Sequence, residues 1–489
     1  MVYIIGAGPG DEELLTLKAI NAMKKCTAVL YDRLIGGNIL NYLREDCEIY
    51  YCGKEPGCHY KTQEEINESI VRLAKEGHVV GRIKGGDPYV FGRGGEEALA
   101  LIEEEIAFEV VPGITSAISV LNYAGIPVTS RGKAQSFHVI TGMSASMLKV
   151  NWESLAKEEG TLIFLMGLES IEDICSNLIG HGKAKDSHCA VVMRGTTSKQ
   201  KKVIGTLESI SHKVKEAELK SPCIIVVGQV VELQEKLSWY ERKPLFGLNV
   251  CITRSKEQAE PLKWKLKDLG AEVTEINSIN IVDTSENLKP VESKLPFYDY
   301  IVLTSVNAVN TFFSYLLRNS IDFRKIKGEF VVIGKATARA LKERGIMPFL
   351  ESKEFYSESL FEEIKPKLLK HHKVLIPCSK IARNYLQEEI AKCCQEVDRI
   401  NIYETNEGHI KNPKSFEECD VIIFTSPSTV KNMISLVGLE KIKEKISIAI
   451  GPITNRELES HGIEAFMCKE ASEEGLIEEI KSIRSKING

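Results

Sequence analysis

The sequence predicts an α/β protein with largely parallel sheets, and three observations lead there. Short apolar runs, such as residues 2–5, 28–30, 79–83, 162–166 and 224–227, alternate with amphipathic stretches of helical period at 12–23, 62–76 and 95–105. Glycine-rich turns follow the runs, at the carboxyl edge on which open α/β sheets bind ligands. The carboxy-terminal half also repeats itself at a spacing of about 120 residues, an ordinary domain size.

The chain of 489 residues is too long for one ordinary domain. Apolar residues at 43% and charged residues at 27% fit a soluble globular protein. Acidic and basic residues nearly cancel, 68 against 63, so no excess positive field exists to draw nucleic acid or an acidic membrane surface. A strand pattern begins at Val2 with no secretory leader before it, and no apolar run reaches the ~18 residues that span a bilayer. A cytoplasmic protein is expected. The 13 cysteines are scattered and mostly embedded in apolar stretches, as free thiols of a reducing compartment are. Cys52, Cys58 and His59 lie close together, but their spacing is not that of a zinc site, and no metal is expected.

The clearest break is residues 235–247, charged and carrying Pro244 and Gly247, with the linker at 241–247. Beyond it, Ile333-Gly-Lys-Ala-Thr337 matches Ile450-Gly-Pro-Ile-Thr454, and Thr304-Ser305 matches Thr425-Ser426. Each copy places hydroxyl residues where a strand hands over to a helix. They either cap the helix or offer an anion site there, and duplication favours a cleft between two lobes.

In the first half, Gly6-Ala-Gly-Pro-Gly-Asp11 follows the first strand. Asp11 stands where a dinucleotide fingerprint needs glycine, and no P-loop Lys-Ser/Thr pair is present. Tyr31-Asp32-Arg33, Gly85-Gly86-Asp87-Pro88, Phe91-Gly-Arg93-Gly-Gly-Glu96 and Val111-Pro-Gly-Ile-Thr115-Ser116-Ala117 are further turns of this kind. With Leu30–Leu34, Gly53-Lys54, Gly125-Ile-Pro127 and Met166-Gly167, these stretches resemble the uroporphyrinogen-III C-methyltransferases of the tetrapyrrole methylase family over essentially the whole first half. From Phe246 onward, Val250–Arg254, Thr304–Asn307, Ile333–Thr337, Tyr356–Leu360, Tyr403–Thr405, Phe424–Ser428 and Ile450–Thr454 resemble uroporphyrinogen-III synthase.

The resemblance implies a two-lobed methylase at 1–240, with lobes at about 1–114 and 115–240. A two-lobed synthase with flavodoxin-like lobes would follow at 248–489, made of about 248–282 plus 405–489 and about 283–404. It implies S-adenosyl-L-methionine held by Pro9, Gly85, Gly86, Asp87, Val90, Thr115, Ser116, Met166 and Gly195, and a homodimer through the methyltransferase half. Asp32 and Lys54 match the proton acceptor and donor, Asp32 otherwise being a helix cap or a partner of Arg33. Tyr403 matches the group that assists loss of hydroxyl from a linear tetrapyrrole. Arg33, Lys54, Arg82, Arg93 and Arg131 are candidate cations for the substrate carboxylates, as are the hydroxyls of Thr304, Ser305, Thr337, Ser357, Ser426 and Ser428 in the second half. The sequence departs from the family patterns at Ser130, Met143 and Cys378, where histidine, histidine and arginine are usual. The implied reaction runs from hydroxymethylbilane through uroporphyrinogen III to precorrin-2, toward sirohaem or cobalamin. Alternatives are a methylase of a later corrin intermediate and a silent tetrapyrrole-binding scaffold.

Overall fold

The computed structural model describes residues 1–53, 62–143, 150–254, 256–352, 356–408, 410, 412 and 414–488. It divides into two compact units, Met1–Ile276 with Ile410–Gly489, and Asn277–His409. Those boundaries fall a few residues from the lobe limits expected at 282 and 405.

The first unit opens with the strands Val2–Gly6 (β1), Ala28–Tyr31 (β2), Glu48–Tyr51 (β3), Val80–Lys84 (β4) and Phe108–Val111 (β5). They form a wholly parallel sheet in the order β3-β2-β4-β1-β5. All residues of β1 and β4 are buried, because apolar clusters cover both faces.

Phe137–Thr141 (β6), Thr161–Leu165 (β7), His188–Met193 (β8), Lys201–Thr206 (β9) and Cys223–Val227 (β10) build a second sheet, ordered β6-β7-β10-β8-β9. Only β6 and β7 are parallel; β10 runs antiparallel to both its neighbours, and β8 pairs antiparallel with β9. This departs from the largely parallel expectation. The segment between β8 and β9 is too short to hold a crossover helix, so the chain must turn straight back.

After the break come Asn249–Ile252 (β11), Glu272–Glu275 (β12), Ile279–Asp283 (β13), Tyr300–Leu303 (β14), Glu329–Ile333 (β15), Leu350–Ser352 (β16), Lys373–Ser379 (β17), Glu396–Glu407 (β18), Val421–Phe424 (β19), Ile446–Ala449 (β20) and Ala465–Met467 (β21). The parallel sheet β12-β11-β19-β20-β21 belongs to the first unit, so its central strands come from both ends of this half. The second unit is built on β13-β18-β17-β14-β15-β16, parallel except where β13 meets β18.

The expected linker is no free tether. Tyr240 packs edge-on against Tyr123 and Phe246, with ring centroids 4.8 and 5.2 Å apart, and Trp239 lies 4.9 Å from Tyr123. Leu245 and Leu248 are buried. Among the described residues no helix is long and apolar enough to cross a membrane.

In the second unit, Phe312 is fully buried between Phe313 and Phe330. Phe312→Ala is expected to destabilise this unit by about 3–5 kcal/mol, read from the denaturant midpoint of its unfolding transition.

Candidate functional site

Three turns meet at the carboxyl edge of the first sheet through bare main chain. A Cβ added to Gly6 would lie 2.5 Å from the Gly113 nitrogen, and one added to Gly113 would lie 2.2 Å from the Gly86 oxygen. Both are far inside van der Waals contact, so only glycine permits this approach. Gly8 N–H donates to the Gly86 carbonyl at 3.2 Å, and Gly86 N–H returns a bond to the Gly8 carbonyl at 2.7 Å. Asp87 completes the junction: Oδ2 accepts from Gly113 N–H at 3.1 Å and Oδ1 from Tyr89 N–H at 2.8 Å. Pro9, Gly85, Gly86 and Asp87 therefore gather at one sheet edge with the turn that leads into Thr115 and Ser116.

Thr115 caps the helix Ser116–Tyr123, its Oγ1 accepting from Ala117 N–H at 3.4 Å, which leaves its own hydroxyl hydrogen to donate. Val90 is partly exposed beside Tyr89 and Phe91, giving the same edge an apolar rim.

The second sheet contributes two positions. Gly195 follows β8, and a Cβ there would meet Val120 Cγ1 at 2.3 Å, so this turn rests directly on the helix that Thr115 caps. Its neighbour Thr196 accepts from Asp11 N–H at 3.3 Å, tying the turn after β8 to the first glycine turn. Met166 ends β7 in the left-handed region, at φ +57°, with its side chain about half exposed.

Asp32, at the end of β2, pairs not with Arg33 but with Arg82 on the adjacent strand β4. Arg82 Nη2 lies 2.8 and 2.7 Å from the two Asp32 oxygens. Arg82 Nε donates to Glu97 Oε1 at 2.9 Å, and Lys84 Nζ donates to the same oxygen at 2.9 Å. Arg82, Lys84 and Glu97 are buried, while the Asp32 side chain is 30% exposed. The buried part thus holds a row of alternating charge that ends at one open carboxylate. Burial opposes the Arg82 charge, but Asp32 and Glu97 outweigh it and its pKa is raised. Burial and then Arg82 lower that of Lys84.

Arg82 is consequently no surface cation for substrate; it orients Asp32. The signal for this role was a pair of alternate charged residues, Arg82 and Lys84, inside a strand pattern. Arg33 and Arg131 are exposed, and Arg93 is held by Glu96 at 2.8 and 2.7 Å. Lys54, Cys58 and His59 lie outside the described residues, and among those described no cluster of His, Cys, Asp or Glu suits a metal.

In the second unit, Ser305 and Tyr403 come together, with hydroxyl oxygens 2.9 Å apart. Ser305 also caps the helix Val306–Arg318, accepting from Ala308 N–H at 3.1 Å. Tyr403 lies on β18 and is 6% exposed, and burial raises its phenol above the ordinary value. Thr304 ends β14 beside this pair and is partly buried. Ser357 opens the helix Ser357–Ile364. Thr337 is buried within the helix Gly334–Lys342, past its first turn, where it packs rather than caps. Cys378 is likewise buried, in an apolar cluster. In the first unit, Ser426 caps Pro427–Val437 with a capping box to Thr429, and its hydroxyl lies 2.9 Å from that of the exposed Ser428. The paired Thr-Ser motifs of the sequence repeat are thus both strand-to-helix caps.

Residues 1–211 match the family model described as tetrapyrrole (corrin/porphyrin) methylases, and residues 260–478 match that of uroporphyrinogen-III synthase HemD. The chain is 36% identical over 492 residues to the porphyrin biosynthesis protein HemD of Ruminiclostridium josui, spanning 99% of this chain and 98% of that protein. It is 41% identical over 350 residues to the uroporphyrinogen-III C-methyltransferase of Bacillus subtilis (strain 168), spanning 71% and 72% of the two chains. The uroporphyrin-III C-methyl transferase of Thermus thermophilus, solved in complex with S-adenyl homocysteine, is 38% identical; the match covers 47% of this chain and 98% of that one, with a TM-score of 0.41. With glycine turns at the edge of the first sheet, methylase and synthase models on successive halves, and a relative matched along nearly its whole length, this chain belongs to the family of the porphyrin biosynthesis protein HemD, a tetrapyrrole methylase followed by a uroporphyrinogen-III synthase.

Proposed function

We propose that the chain performs two consecutive reactions. The second half cyclises hydroxymethylbilane to uroporphyrinogen III, and the first half methylates that product twice with S-adenosyl-L-methionine to give precorrin-2, toward sirohaem or cobalamin. The observation that carries the reading is the glycine junction: a Cβ on Gly6 or Gly113 would strike the facing main chain and Gly86 turns at φ +69°, so the three turns form a close-set cradle at the sheet edge.

That cradle suits a sulfonium nucleotide. Its glycines let main chain come close to the ligand, the Thr115 hydroxyl can donate to it, and Val90 and Met166 offer apolar walls. S-adenosyl-L-methionine supplies an electrophilic methyl group, so the protein has mainly to aim a pyrrole carbon at it. Asp32 accepts the proton released when the methylated ring restores conjugation. Arg82 holds both carboxylate oxygens and so fixes the direction from which the proton arrives. Arg33 and Arg131, both exposed, are available to the substrate carboxylates.

In the synthase half the raised pKa of Tyr403 keeps its phenol protonated through the neutral range, as a donor to a departing hydroxyl must be. Its 2.9 Å contact with Ser305 sets the orientation of the hydroxyl group. The partners are small-molecule tetrapyrroles, with no nucleic acid and no membrane; the protein works in the cytoplasm, as a homodimer through the methylase half.

Purified protein given hydroxymethylbilane and S-adenosyl-L-methionine is expected to yield precorrin-2, followed by absorbance and mass. Cyclisation to the uninverted isomer alone would refute the synthase assignment, and absence of methyl label in added uroporphyrinogen III would refute the methylase assignment. Asp32→Asn is expected to lower kcat for methyl transfer by about 10²–10⁴ while leaving nucleotide affinity unchanged in titration calorimetry. Tyr403→Phe should slow enzymatic bilane cyclisation at least about 10²-fold, measured as the ratio of inverted to uninverted isomer. In the parent protein the cyclisation rate should not fall on the alkaline side until the pH exceeds the ordinary tyrosine value of about 10.

A further inference from the structure

The synthase half reaches back to the turns that surround the proposed nucleotide site. Lys267, on the helix Lys256–Asp268, donates to Asp11 Oδ1 at 2.8 Å; Asp11 Oδ2 accepts from the Tyr123 hydroxyl at 2.9 Å. Lys263, on the same helix, bonds Glu12 Oε2 at 2.9 Å and Glu275 Oε2 at 2.7 Å, and all three side chains are buried. Asn38 donates to the Val273 carbonyl at 2.5 Å and accepts from Glu275 N–H at 3.0 Å. Glu272 Oε2 receives both the backbone N–H and the hydroxyl of Ser198, at 2.9 and 2.7 Å, and Lys199 bonds Asp420 at 2.8 Å.

These ties fall on a particular set of methylase segments. Asp11 and Glu12 continue the turn that carries Pro9. Ser198 and Lys199 continue the turn that carries Gly195. Tyr123 ends the helix that begins at Ser116. Gly10, Asp11, Tyr123, Thr196, Lys267 and Glu272 line one cavity of about 230 Å³, so the segments meet at a single place. The turn after β8 is tied to the turn after β1 by the 3.3 Å bond from Asp11 N–H to Thr196, and the synthase residues brace each side of that bond.

We propose that Lys267 and Glu272 of the synthase half are positioning residues for methyl transfer, locking the Asp11 and Ser198 turns so that Pro9 and Gly195 hold the nucleotide. The proposal rests on the assignment of that nucleotide to these turns. A buried or half-buried ion pair whose partner is removed leaves an uncompensated charge, and the turn that carries it must move to find water. A displacement of that order at a binding turn is felt as lost affinity before it is felt as lost chemistry.

The full-length Lys267→Met/Glu272→Gln variant, titrated with S-adenosylhomocysteine in a calorimeter, is expected to show a Kd raised about tenfold. In turnover, KM for S-adenosyl-L-methionine should rise by the same factor with kcat within about twofold, and bilane cyclisation should be unchanged. Lys267→Arg, which keeps the charge, should retain the parent Kd. A folded double variant that binds with the parent Kd overturns the proposal, as does a fall in kcat with Kd unmoved. If the double variant does not fold, Lys199→Met removes a more exposed tie, and a Kd unchanged there is equally decisive against it. A parent protein that binds S-adenosylhomocysteine but transfers no methyl group sinks only the proposed reaction; one that does not bind it sinks both.

Discussion

The amino-terminal site depends on two missing side chains and one left-handed glycine turn. Gly6, Gly86 and Gly113 let the turns after β1, β4 and β5 touch through main chain, and the Asp87 carboxylate then bridges two of them. The parallel sheet beneath makes this possible, because every strand delivers its turn to the same edge. Its β1 and β4 are buried on both faces, so the edge has a rigid foundation. A ligand there is met by backbone dipoles already fixed in place, which costs little ordering on binding.

The charged row behind Asp32 follows another constraint. Arg82 is wholly inside, and a lone buried guanidinium would be prohibitively costly to desolvate. Glu97 offsets its charge, Lys84 offsets that of Glu97, and Asp32 is left as the only member reaching solvent. The arrangement couples a stability requirement to a chemical one: the pairing that lets Arg82 be buried is the pairing that aims the carboxylate.

Much of this was legible in sequence because it is local. The run from Val2 to Asp11 announces a strand and a ligand-bearing turn, and the Thr304-Ser305 and Thr425-Ser426 repeats mark two helix caps. What could not be read is set by partners distant along the chain. The alternative to a proton-accepting Asp32 was a helix cap or a pair with its neighbour Arg33, but the partner that holds it, Arg82, comes from β4, fifty residues on. The Ser305–Tyr403 contact joins β18 to a helix that begins almost a hundred residues earlier. Thr337 was expected at the strand-to-helix edge, yet helical period carries it to the buried face of its helix. The antiparallel β8, β9 and β10 were missed because apolar runs look alike in either direction.

The junction between the halves also sets what light can report about this molecule. Of its tryptophans, Trp239 stacks edge-on with Tyr123 and Tyr240, and the ring of Trp264 lies 5.1 Å from the Lys263 ammonium and 5.6 Å from that of Lys267. Both indoles sit where the methylase meets the synthase, one partly exposed among aromatic rings and the other against cations. Intrinsic emission therefore samples the seam more than any single core. A change in the emission of these two indoles reports on their surroundings at that seam.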